Sequence, residues 1–240
     1  MSGSGGLCVL VSGGVDSAVA LAEAARSGEP VVPVYVRSGM VWEPAEMYWL
    51  ERFLQTLSAE PSARATLAPL VVLDLPVADL YGSHWSWTGE SAPGAASPDE
   101  AVYLPGRNLL LLAKTGVLAV ERGCRAIVMG PLAANPFPDG TRAFFDAMGR
   151  VIGLAMGCED PLPVLTPFAG ADKAEVVRRG ADLRLDLTFS CLAPVDDRFH
   201  CGVCNKCAER QRGFAAAGVP DPTVYATELS ARRSGGATDA

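Results

Sequence analysis

Leu7-Cys8-Val9-Leu10-Val11-Ser12-Gly13-Gly14-Val15-Asp16-Ser17 decides the fold class of this chain. The unbroken apolar run from Leu7 to Val11 describes a strand buried on both faces, as strands of parallel sheets are. It breaks into Ser-Gly-Gly and resumes as an Ala-rich helix from about Asp16 to Arg26, stopped by Gly28 and Pro30. Gly13 and Gly14 let the backbone curl tightly enough to aim several N–H groups at one anion. The helix N-terminus behind them adds about half a positive charge, and Ser12 and Ser17 add hydroxyl donors. No glycine-lysine-serine ending follows, so this is not a Walker-type phosphate loop, and its spacing is not that of a dinucleotide fingerprint. Asp16 is out of place beside phosphates unless Mg²⁺ or ordering hydrogen bonds accompany it.

Outward from this turn the pattern alternates. Val31 to Val36 is a second β-rich run. Glu43 to Leu57 has helical periodicity, with Met47, Leu50, Leu54 and Leu57 on one stripe, and Leu70 to Leu73 is a third strand. Strand, helix, strand, helix, strand predicts an α/β fold with a mostly parallel, doubly wound sheet. Regularity lapses from Leu75 to Pro105, a stretch rich in Gly, Ser, Pro and Ala that carries Trp85 and Trp87 and reads as a lid or substrate loop. It returns with a helix from about Asn108 to Arg122, a fourth strand at Ala126–Met129, a helix from Thr141 to Met156, an extended piece at Leu162–Leu165, and a helix over Asp172–Arg179 with Asp172 as its cap. A last helix spans about Asn205 to Ala217. The organisation expected is an α/β domain over 7–185, a small cysteine-bearing helical subdomain over 186–226, and flexible ends at 1–6 and 231–240.

Composition narrows the partners. The net charge of −7 makes poor contact with nucleic acid, whose affinity comes from Lys and Arg neutralising phosphates. No run approaches the roughly 18 apolar residues of a membrane span, and the first residues show no signal-type pattern, so a soluble, cytoplasmic protein without a membrane partner is expected. Seven cysteines, an odd number, argue against a full disulfide framework. Cys8 and Cys124 adjoin apolar strands and read as small core residues.

The other four cysteines cluster as Cys191-x9-Cys201-x2-Cys204-x2-Cys207. Tight Cys-x-x-Cys turns present two thiolates to one tetrahedral ion. Four sulfurs fill its coordination, which describes a closed, structural Zn²⁺ site. A thiol redox pair or an iron–sulfur cluster are the rival readings. Two further strings carry chemistry. Tyr103-Leu104-Pro105-Gly106-Arg107-Asn108 puts Arg107 at a helix start, where a cation opposes the dipole unless a bound anion accompanies it. Lys173, in the first turn after Asp172, is equally unfavourable locally and placed to reach phosphate.

The Ser12–Ser17 string, with these motifs in this order and spacing, resembles the 7-cyano-7-deazaguanine synthase family within the N-type ATP pyrophosphatases, over about Leu7 to Tyr225. The resemblance implies an adenine-nucleotide α-hydrolase-like sheet with a zinc-bearing C-terminal part, and homodimers are common among the members. It implies that ATP, with Mg²⁺, adenylates 7-carboxy-7-deazaguanine, that ammonium gives the amide, and that a second adenylation gives the nitrile. Carried over residue by residue, Val11, Ser12, Gly13, Gly14, Val15, Asp16, Ser17, Arg107 and Asn108 hold ATP. Asp16, Ser17, Arg107 and Lys173 do the chemistry, and Cys191, Cys201, Cys204 and Cys207 bind Zn²⁺. Two stretches depart from the pattern. Arg37 to Glu43 replaces a tyrosine-glycine-glutamine-x-histidine string, and Phe137 to Arg142 replaces tyrosine-proline-aspartate-cysteine-arginine. Asp139 and Arg142 are the replacement candidates for substrate recognition. The departures admit a paralogue that adenylates a different small acid. The non-enzyme alternative is a zinc-ribbon module that binds nucleic acid or protein.

Overall fold

The first strand divides two cores. Cys8 and Leu10 face one side of the sheet, where Leu112, Ile127, Phe145 and Ile152 pack. Leu7, Val9 and Val11 face the other, with Val19, Leu21, Phe53, Phe168 and Phe214. Both sides are covered, which is why the run is apolar at every position. This is a computed structural model, and it describes residues 5–64 and 66–229, without the Arg64 side chain. The elements in chain order are β1 (Leu7–Leu10), α1 (Val15–Arg26), β2 (Val31–Arg37), α2 (Glu43–Ala59), the single turn α3 (Pro61–Arg64), β3 (Val71–Asp74), the single turns α4 (Ala78–Tyr81) and α5 (Trp85–Thr88), α6 (Arg107–Glu121), β4 (Ala126–Val128), α7 (Arg142–Ala155), β5 (Val164–Leu165), α8 (Lys173–Arg179) and α9 (Asn205–Ala217). Every strand pairs parallel, in the order β3-β2-β1-β4-β5. The sheet is therefore doubly wound, with its direction of winding reversing between β1 and β4. In such sheets ligands bind outside the carboxyl ends of the strands at that reversal, and the Ser12–Ser17 turn lies there.

Several boundaries move by a residue, and Asp172 caps α8 by accepting the Glu175 N–H at 2.7 Å. The stretch from 75 to 105 is more regular than its composition predicts. It contains α4, α5 and a 3₁₀ turn at Asp99–Val102. Three of its aromatic residues, Tyr81, Trp85 and Trp87, have somewhere to go: they pack with Trp42 and Leu104 on the cysteine region. Backbone bonds fasten the same stretch there, from Ala95 N–H to Val203 O and from Asn205 N–H to Pro93 O. The ends expected to be flexible lie outside the described residues except for Gly5 and Gly6, and Gly6 is tied down, its carbonyl accepting the Arg125 N–H at 2.9 Å. Among the described residues no helix is long and apolar enough to cross a membrane.

Candidate functional site

The Gly turn folds on itself through its serines. Ser17 Oγ donates to Gly14 O at 3.1 Å and accepts the Ser12 N–H at 3.1 Å. Gly13 takes φ +78°, a left-handed conformation that costs glycine least, and an added Cβ there would press on the Glu46 carbonyl at 3.1 Å. α1 starts at Gly14 with no side-chain cap, so its first N–H groups face the space above the turn. Two cavities open there, of about 180 and 220 Å³. Ser12, Asp16, Glu46 and Arg107 line both and so mark their junction. The larger continues between Leu10, Val11, Tyr35, Val36, Leu111 and Met129, with Asn108 and Asn135 beside them, as a slot of mixed polarity at the ends of β1, β2 and β4. The smaller continues toward Lys173, Lys206 and Glu209, under Trp42.

Charges alternate across the smaller cavity. Lys173 Nζ meets both oxygens of Asp16, at 2.6 and 2.9 Å, and Glu209 at 3.2 Å. Lys206 meets Glu209 at 2.5 Å. Burial works against the Lys173 charge, but Asp16 and Glu209 outweigh it and raise the ammonium above the usual lysine range. Burial likewise opposes ionisation of Glu209, and the two lysines overcome it and hold the carboxyl at about 2. Arg107 is different. Its Nε is buried and has no hydrogen-bond partner among the described residues, a donor that an anion at the junction would satisfy. Asp16, Ser17, Arg107 and Lys173 thus come together around the two adjoining cavities, although α1, α6 and α8 supply them from distant parts of the chain.

The two residues read as substrate contacts lie elsewhere. Asp139 is buried and occupied: its Oδ2 accepts the Asn108 N–H at 2.9 Å, and its carbonyl accepts from Asn108 Nδ2 at 2.9 Å. A carboxylate in that position caps α6 from outside and suits its positive end. Arg142 is exposed, pairs with Asp146 one turn along α7 at 2.7 Å, and lines neither cavity. Neither residue lines the two cavities in this geometry. Glu43, in the other departing stretch, serves its own loop by accepting the Ser38 and Gly39 N–H groups at 2.6 and 3.0 Å.

The four cysteines converge. Their sulfurs all lie within 4.8 Å of one another and are buried, with Cys201–Cys207 and Cys191–Cys204 each 3.9 Å apart. A tetrahedral ion with bonds of about 2.3 Å needs sulfurs about 3.8 Å apart. Backbone N–H groups point at three of the sulfurs: Cys201 N–H at Cys191, Val203 and Cys204 N–H at Cys201, and Leu192 and Cys207 N–H at Cys204. Such donors stabilise thiolates and orient metal ligands, so the residues fit a metal. His200 is no ligand. Its Nε2 accepts the Ser190 N–H at 3.1 Å against the Phe189 ring, and burial together with Arg210 keeps it neutral down to about 3. The cluster is also not remote from the turn. Phe189 N–H donates to Gly13 O at 2.7 Å, and Phe189, Ser190 and Cys191 form a wall of the smaller cavity.

Sequence reading passed over Glu46, Glu209, Lys206 and Arg210. One signal was available: Glu43 and Glu46 continue the buried stripe of Leu50, Phe53 and Leu57 along α2, and carboxylates on a core-facing stripe ask for partners. Arg210 is 2% exposed and bonds Thr188, Leu185 O and Thr223, which clamps α9 to the segments on either side.

A family model described as Queuosine biosynthesis protein QueC matches residues 7–218. The chain belongs to the QueC family. Among individual relatives, the 7-cyano-7-deazaguanine synthase of Methanothrix thermoacetophila is 31% identical over 231 residues, covering 90% of this chain and 96% of that one. The protein of the same name from an Azoarcus species is 33% identical over 226 residues, covering 90% and 95%. A crystal structure of a 4-thiouridine synthetase–RNA complex with bound ATP aligns at 19% identity with a TM-score of 0.44. The alignment covers 95% of this chain and half the length of that one. Membership of the QueC family places the chain in queuosine biosynthesis.

Proposed function

We propose that this protein is an ATP-dependent ligase that converts 7-carboxy-7-deazaguanine and ammonium to 7-cyano-7-deazaguanine through adenylated intermediates. The observation that carries the reading is the junction of the two cavities, where the Gly turn, Asp16 and Arg107, whose buried Nε has no partner among the described residues, meet at the reversal of the sheet. The slot, with apolar walls and the amides of Asn108 and Asn135, suits adenosine. The turn, the α1 N-terminus and Lys173 suit the pyrophosphate that leaves. At the junction a carboxylate oxygen attacks the α-phosphorus, and Arg107 balances the charge that gathers there. Ammonia then displaces AMP to give the amide. The amide oxygen takes a second adenylyl group, and loss of AMP and protons from that adduct leaves the nitrile. Mg²⁺, brought in with ATP, would neutralise the triphosphate. The four-cysteine site is assigned to Zn²⁺ on its all-sulfur donor set, within a metal-bearing subdomain over 186–226 docked on the α/β domain of 7–185, and the protein is assigned to the cytoplasm.

A second reading has one observation in its favour. Asp139 is committed to α6 and Arg142 lies outside the cavities, which suits a paralogue that adenylates another small acid. Incubation with ATP and Mg²⁺, with and without the deazapurine acid and ammonium, separates the two. AMP with nitrile supports the first. AMP only with a different acid supports the second. No ATP turnover with any acid refutes both.

A further inference from the structure

Three carboxylic acids line the two cavities among the described residues: Asp16, Glu46 and Glu209. Two are spoken for. Asp16 gives both oxygens to Lys173, and Glu209 lies between Lys173 and Lys206. A carboxylate bound so tightly to cations is a poor proton acceptor. Glu46 forms no ion pair among the described residues. Its hydrogen-bond partner is the Tyr35 hydroxyl, which donates to Oε2 at 2.7 Å. It stands at the junction with Ser12, Asp16 and Arg107, and its backbone rests against Gly13 of the turn. A group placed there is beside the atoms that react in an adenylate-forming enzyme.

Resting on the ligase function above, we propose that Glu46 is the proton acceptor that turns bound ammonium into the attacking amine. The carboxylate takes one proton from ammonium, and the electron pair of that N–H bond becomes the nitrogen lone pair. The lone pair forms the C–N bond at the acyl carbon of the adenylate. The C–O bond to phosphorus-bound oxygen then breaks, and its electron pair leaves on AMP. The departing phosphate takes the second proton from nitrogen, so the neutral amide, monoprotonated AMP and protonated Glu46 result. The same acceptor fits any acid the slot admits, since the nitrogen chemistry does not depend on the heterocycle.

The surroundings suit the task. Burial pushes the Glu46 carboxyl up to about 8, against the pull of the Tyr35 hydroxyl and Arg107 and with some help from Glu43 on its own helix. A base with its midpoint near the working pH combines a useful basic fraction with a strong drive to accept.

The test compares nucleophiles. Hydroxylamine is largely unprotonated at neutral pH and captures an acyl-adenylate without a base, whereas ammonium needs one. With saturating ATP and acid, Glu46→Gln should slow ammonium-dependent amide formation by about 100-fold or more. Hydroxamate formation should fall far less, so that the hydroxylamine-to-ammonium rate ratio rises at least about tenfold. The rate limb near pH 8 should vanish in Glu46→Gln. It should move to higher pH in Tyr35→Phe, which keeps the carboxyl and removes a donor that favours its charged form. An unchanged ratio overturns the inference, whether both reactions survive or both are lost together. A wild-type protein that makes no AMP with any acid overturns the underlying function instead, and the inference with it.

Discussion

Gly213 never touches the cavities, yet replacing it with alanine should impair them. It lies inside α9 where that helix packs on α8, and a Cβ built there would come well inside 3.0 Å of Lys173 Cγ, with Lys173 Cβ and Cδ at 3.3 and 3.4 Å. The clash is with the stem of the side chain and cannot be relieved by swinging its tip. Two effects on stability oppose each other. Alanine gains about 1 kcal/mol over glycine inside a helix, and overpacking costs about 1–3 kcal/mol. The net loss is about 0–2 kcal/mol, and the protein should still fold. The effect on function is one-sided. Lys173 Nζ is held by Asp16 at 2.6 Å, and a shift of about 1 Å in such a group costs about 10²-fold in rate. Gly213→Ala should therefore lower acid-dependent ATP–pyrophosphate exchange about 100-fold, while a urea titration shows a midpoint close to that of the wild type. Exchange within threefold of the wild type would refute the reasoning, because it would mean either that the stem yields freely or that Lys173 does not matter.

Asp139→Ala should cost about 1–2 kcal/mol in denaturation, as removal of a helix cap does, without changing the KM for the acid; a selective rise in KM would restore Asp139 to substrate recognition. Asp16→Ala should abolish pyrophosphate release with little change in melting temperature, and near-normal turnover would remove the turn from the chemistry. Removal of metal by a strong chelator should weaken nucleotide binding as well as the fold of the cysteine region, since Phe189 ties that region to Gly13; calorimetry showing intact ATP affinity in metal-free protein would separate the two. The folded state keeps a proton on Glu46 up to about pH 8, whereas an unfolded chain releases it in the usual carboxylate range. This contribution to stability is full below that range and is lost as pH rises to about 8, at up to about 1.4 kcal/mol per pH unit. Glu46→Gln should flatten that part of the stability profile, and an unchanged slope by urea titration between pH 5 and 8 would contradict it.

The sheet was legible because β1 and β4 are buried on both faces and so carry no polar interruption, and the Gly turn was legible because an anion site needs glycine and an uncapped helix. The cysteines declared their convergence through the two Cys-x-x-Cys turns. What the sequence hid was long-range pairing. Lys173 and Asp16 are 157 residues apart, and although Lys206 is a helical neighbour of Glu209, nothing near Glu209 in sequence foretells its contact with Lys173. The partner of Asp139 was hidden for the same reason: the N-terminus of α6, whose Asn108 N–H it accepts, lies 31 residues earlier. The stretch from 75 to 105 looked loose because its glycines and prolines outweigh its few aromatic residues. Those aromatics nevertheless bury enough surface against Trp42 and Leu104 to settle the segment.

The bond from Phe189 to Gly13 also orders events during synthesis. A growing chain that has emerged only as far as α8 owns the turn, Arg107 and Lys173, but lacks the strut that braces Gly13 and the carboxylate that pins Lys173 from the far side. Under the proposed function, nucleotide capture would therefore wait until the cysteine region has folded against the turn. On that same proposal, a molecule without the docked cysteine region would have no closed chamber in which to form, and then leak, a reactive adenylate.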